Sequence, residues 1–140
     1  MIDKKLIEKK LRRIEEHIRE LRLVNVATLE EFSGNTVARR FIERNIQLSI
    51  EQMVDICKHL VSALDLNEPE TYAECFDILA GNRIIAKEHT DTFKAMARFR
   101  NILIHGYEDV EHSVTYAVYR KRLKDFRTFI KEIRTYLHAH

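Results

Sequence analysis

The 140-residue sequence has no tryptophan, 1 proline and 3 glycines. With so few turn-formers and no sustained alternation of apolar and polar residues, a sheet-rich fold is excluded and helices joined by short connections are expected. Cys57 and Cys75 show no C-x-x-C or zinc-ligand spacing, so both are expected to be reduced thiols of a cytoplasmic protein. No apolar segment resembles a signal peptide and no run approaches bilayer length, so no membrane partner is expected. An excess of charge of one sign is also missing. The 24 basic and 22 acidic side chains leave a net +2, too little by itself to argue for nucleic-acid binding. The 7 histidines lack H-E-x-x-H or any other strong ligand spacing. There is no glycine-rich phosphate loop and no G-x-S-x-G elbow, so neither a metal nor a cofactor is expected.

What the sequence does contain is a hydrophobic content of 45%, enough for one core, and residues 1–140 read as a single domain. Ile7, Leu11, Ile14, Ile18 and Leu21 repeat at steps of four and three, predicting a first helix from near Asp3 to about Glu31. Ser33-Gly34-Asn35 interrupts it. A second helix carries Ile42, Ile46, Ile50, Met53, Cys57, Leu60 and Leu64, and stops before Asn67-Glu68-Pro69. Thr71 followed by Glu74 is a capping-box pattern for a short helix through Phe76 and Leu79, ended by Gly81-Asn82. A fourth helix runs from Ile84 or Lys87 to Leu103. The last puts Tyr116, Tyr119, Leu123, Phe126, Ile130, Ile133 and Leu137 on one seam. The fold class is therefore all-α: an antiparallel bundle of four long helices and one short one.

One residue is out of place. Phe93, Met96, Ala97, Leu103 and Ile104 form a stripe on the fourth helix, and Arg100 falls near its middle. A buried guanidinium requires a compensating anion, a wet cleft or an intermolecular role, unless it reaches out to solvent. The segment Arg100-Asn101-Ile102-Leu103-Ile104-His105-Gly106-Tyr107 adds an imidazole and a phenol at the helix end, a combination suited to anion chemistry. On a straight helix His105 lies about 140° around from Arg100. Convergence on one small group then needs the chain to unwind near Gly106, a second subunit, or both. Asn101 is equally read as an orienting group or a local backbone partner. Asp55 and His59, one turn apart, read as a surface pair. The segment Arg120 to Arg134 holds seven basic and two acidic side chains, which suits an RNA backbone but is also an ordinary solvated face.

The string R-x-x-x-x-H-x-Y at Arg100 to Tyr107, preceded by Arg40-Phe41-Ile42-Glu43-Arg44-Asn45-Ile46-Gln47-Leu48, resembles the HEPN superfamily and, more narrowly, its HepT toxins. The resemblance covers essentially the whole chain. It implies a homodimeric, metal-independent endoribonuclease, cutting tRNA or mRNA as the toxin of a type VII-like toxin–antitoxin system. Arg100 and His105 would act on the scissile phosphate in a cleft between two copies formed around the motif helix. It further implies a partner of the minimal nucleotidyltransferase (MntA-like) family, an antitoxin that transfers AMP to Tyr107, with a larger hetero-oligomer left open. The alternative is a non-catalytic helical interaction or nucleotide-binding subunit of a nucleotidyltransferase complex.

Overall fold

The computed structural model describes residues 1–105 and 111–140, and every regular element among them is helical. The elements are α1 (Lys4–Leu23), α2 (Leu29–Gly34), α3 (Thr36–Ala63), α4 (Tyr72–Gly81), a 3-10 turn (Lys87–His89), α5 (Thr90–His105), α6 (His112–Lys121) and α7 (Leu123–Ala139). Helices α1, α3, α5 and α7 form a cycle in which each packs on the next, with α4 laid across α3 and α5. The apolar positions expected from periodicity are the buried ones: the α1 stripe, Ile42 to Leu60 of α3, Phe76 and Leu79 of α4, and Phe126 to Leu137 of α7. Phe76, Phe93 and Phe129 meet at centroid distances of 5.4 to 6.1 Å with no exposed surface, the aromatic centre of the bundle.

Two helices expected to be continuous are broken, so four long helices and a short one become seven α-helices among the described residues. The first helix ends at Leu23 rather than near Glu31, because Val24 turns extended and Val26 is buried. Thr28 then caps α2 by accepting from the Glu31 N–H, while the Glu31 carboxylate accepts from the Ala27 N–H. Carbonyls freed by the break are taken up from far away: the hydroxyl of Tyr119 donates to Val24 and that of Tyr116 to Val26. The terminal helix divides at Arg122, where the backbone leaves helical geometry (φ −115°, ψ 3°). No glycine or proline marks this second break. The two tyrosines hold α6 against the α1–α2 corner, while Phe126 onward faces the core, and that difference in packing separates the segments.

The cysteines also differ from expectation. Cys57 on α3 and Cys75 on α4 are fully buried and joined as a disulfide, with Cα atoms 6.2 Å apart. The pairing follows from α4 crossing α3, a contact that spacing along the chain does not reveal. At the end of α4 the left-handed conformation falls on Arg83 (φ 59°), just past Gly81-Asn82.

Along the α1–α7 contact, Arg134 donates to both Glu8 and Glu15 at 2.6 to 3.2 Å. These bonds, and secondarily the positive charge of Arg134, Arg19 and Arg12, hold the Glu15 carboxyl below its ordinary range. A depressed carboxylate contributes stability that is complete above the unfolded-state range and is lost as the pH falls through the folded-state value. Urea titrations at successive pH values should therefore show Arg134→Met losing less stability on acidification than the unmodified chain. An identical acid limb in both would sever the link to this cluster.

Candidate active site

Helix α5 begins on the buried Thr90 and is held to the core by Phe93, Met96, Ala97 and Phe99. One turn past Met96, Arg100 occupies the position a core residue would take, with 19% of its side chain exposed. Its guanidinium reaches across to α3: Nη2 donates to Glu51 Oε1 at 3.1 Å. The same Glu51 oxygen accepts from Gln47 Nε2 at 3.1 Å, one turn back on α3. Nη1 donates to Asn101 Oδ1 at 3.2 Å, and Cζ lies 5.5 Å from the centre of the Tyr72 ring at the start of α4. Nε is buried with no hydrogen-bond partner among the described residues. Glu51 thus supplies the compensating anion, while the tyrosine face and Asn101 fix the plane of the guanidinium.

The helix persists through His105, which is exposed at its last position. The unwinding expected near Gly106 falls outside the described residues. Five residues along a continuous helix separate them by about 7.5 Å of rise and about 140° of rotation. Within one chain they address different directions. Gly106 and Tyr107 lie outside the described residues. Asp55 pairs with Lys10 at 3.5 Å and His59 accepts from the Asp3 N–H at 3.2 Å, so these two serve the α1–α3 contact.

Sequence reasoning did not find Glu51, Gln47 or Tyr72. The Gln47–Glu51 pair carries an i,i+4 signature on α3, but nothing in spacing ties either to an arginine 49 residues away. A wide hollow of about 1320 Å³ lies elsewhere, beside the 3-10 turn and α7, and neither Arg100 nor His105 lines it. There Glu132 accepts from the Ala86 N–H and bonds His89 Nδ1, clamping the α4–α5 connection onto α7.

The all-helical bundle is shared with solved HEPN toxins. The tri-AMPylated Shewanella oneidensis HEPN toxin, solved in complex with MNT antitoxin, superposes with a TM-score of 0.85 at 27% identity, covering 96% of this chain and 99% of that one. The mRNA nuclease HepT of Shewanella oneidensis is 31% identical over 90 residues, 64% of this chain and 68% of its own length. The tRNA nuclease HepT of Aphanizomenon flos-aquae is 24% identical over 136 residues, 97% of this chain and 92% of its own. The family model described as ribonuclease HepT-like matches residues 7–133. The chain belongs to the ribonuclease HepT-like family, and its enzymatic class is endoribonuclease.

Proposed function

We propose that this chain is the cytoplasmic toxin of a toxin–antitoxin pair, cutting RNA without a metal at a cleft completed by a second copy of itself. The observation that carries this reading is Arg100, held half-buried by Glu51 on a helix that ends in an exposed His105, within a chain matched to the family from residue 7 to 133. The reaction is transesterification. The 2′-oxygen attacks phosphorus, the bond to the 5′-oxygen breaks, and the products are a 2′,3′-cyclic phosphate and a 5′-hydroxyl. His105 takes the proton of the 2′-hydroxyl and returns it to the departing 5′-oxygen. Arg100 donates two N–H groups to the non-bridging oxygens as their charge grows in the transition state. Asn101 keeps the guanidinium in plane. The diverging directions of Arg100 and His105 on a continuous α5 favour a site shared by two copies.

Neutralisation by AMP transfer is supported by the solved relatives, one of which is a tri-AMPylated toxin in complex with MNT antitoxin and another a toxin–antitoxin with AMP-PNP. In this chain the acceptor is the Tyr107 hydroxyl. It attacks the α-phosphorus of a nucleoside triphosphate bound by the antitoxin, losing its proton and expelling pyrophosphate. The bulk and charge of the added group then stand where RNA must enter.

The test is to incubate purified, unmodified protein with total RNA in EDTA beside an Arg100→Ala/His105→Ala control. Cleavage by the native protein alone, leaving 2′,3′-cyclic phosphate ends, is the expected result. Equal inertness of both, with mass confirming an unmodified Tyr107, would move the protein to the non-catalytic subunit reading.

A further inference from the structure

On the side of the four-helix cycle away from the α3–α5 contact, two adjoining hollows run along α1, α7 and the α6–α7 junction and share Arg22. The first, about 540 Å³, is edged by Arg19, Arg22, Arg127 and Lys131. The second, about 490 Å³, is edged by Arg22, Arg120, Lys121 and Lys124. All seven of these side chains belong to exposed residues. None forms an ion pair or side-chain hydrogen bond among the described residues, as is also true of Lys4, Lys5, Lys9 and Arg13 on α1; what sets the seven apart is that they edge two adjoining hollows. Only one carboxylate lines either hollow, Glu15, and Arg134 occupies it. In a chain of net +2, seven free cations gathered on one seam are a segregation of charge.

We infer that this seam is a docking track for the phosphodiester backbone of the RNA substrate, distinct from the site that cuts it. The inference rests on the ribonuclease reading. Unpaired guanidinium and ammonium groups along a groove suit a phosphate chain, which is bound by charge and released counterions. A protein partner would need an apolar or aromatic centre to dock on. The apolar and aromatic residues lining the hollows, Ile18, Leu21, Val24, Tyr119, Leu123 and Ile130, are buried or half-buried, and none of the large exposed hydrophobic side chains lines either one. Because the track and Arg100 lie on opposite seams, an RNA must extend roughly two helix diameters, about 20 Å, to touch both. The track therefore selects long or folded RNA over short oligonucleotides.

The test measures binding of unfractionated tRNA to full-length Arg100→Ala/His105→Ala protein across a range of salt concentrations. In that background, Arg19→Gln/Arg22→Gln/Arg127→Gln/Lys131→Gln is compared with Lys4→Gln/Lys5→Gln/Lys9→Gln/Arg13→Gln, which removes the same charge from exposed positions off the track. The track variant should bind at least about tenfold more weakly, with a log–log salt slope shallower by about 3, while the off-track variant stays within about threefold of its parent. Thermal melting of each variant confirms that it is folded. Equal losses in the two variants, or an unchanged slope in the track variant, would overturn the inference. So would a track variant that keeps its RNA affinity but no longer co-purifies with the nucleotidyltransferase, which would make the seam a face for an acidic protein. Failure of the ribonuclease reading shows separately, as native protein that leaves RNA uncut whatever these affinities are.

Discussion

Neither Arg100→Ala nor His105→Ala alone should cut RNA measurably, yet a refolded equimolar mixture of the two should recover about a quarter of native activity. Removing the guanidinium deletes the donors that meet growing negative charge, a loss of about 10²- to 10³-fold at comparable sites. Removing the imidazole takes away proton transfer, about 10²- to 10⁴-fold. Recovery on mixing follows from α5 remaining helical through His105, which turns Arg100 and His105 apart within a chain. If each centre draws its arginine from one copy and its histidine from the other, about half the dimers are mixed and one of their two centres is intact, giving the quarter. A mixture as inactive as its components would place both groups of each centre on the same chain. Cleavage of a defined RNA by native, single-variant and mixed proteins distinguishes these cases.

The second large effect concerns neutralisation. Co-expressed with its nucleotidyltransferase, the native chain should gain adenylyl groups visible by intact mass, and Tyr107→Phe should gain none while remaining toxic in its presence. Tyr107→Phe removes the phenol hydroxyl, the nucleophile, and keeps the aromatic ring. A phosphodiester on the motif tyrosine adds negative charge and bulk, so one modification opposes RNA by charge and by volume. The related toxin carries three AMP groups, so a series of mass increments is expected rather than one. Growth inhibition together with mass provides the measurement. Full modification of Tyr107→Phe would move the acceptor elsewhere on the chain.

Much of the bundle was legible because burial follows period. Every member of the α1 stripe, Ile7 to Leu21, is in the core. The breaks were not legible. Val24 and Arg122 end helices with neither glycine nor proline, and the bonds that tie the two breaks together, Tyr119 to Val24 and Tyr116 to Val26, join residues 95 and 90 apart. The same limit applies at the site. Arg100 could be singled out because a guanidinium in an apolar stripe conflicts with its helix. Its stabilisers Glu51 and Tyr72 come from α3 and α4 and become neighbours only once those helices pack. The pairing of Cys57 with Cys75 was hidden in the same way.

The two tyrosine hydroxyls that complete the α1–α2 corner come from 90 and 95 residues further along the chain, and Arg134 closes on Glu8 across 126. Contacts of that span cannot form until the ribosome has released the segment that makes them, and closing such loops costs chain entropy before any contact compensates it. A nascent chain halted before α6 therefore has the residues of α1 through α5, the motif arginine included, but lacks the clasps that set the corner and the outer seam. The bundle is finished only as the last fifth of the chain, from α6 onward, emerges. Until then the chain carries its motif arginine without the finished bundle around it.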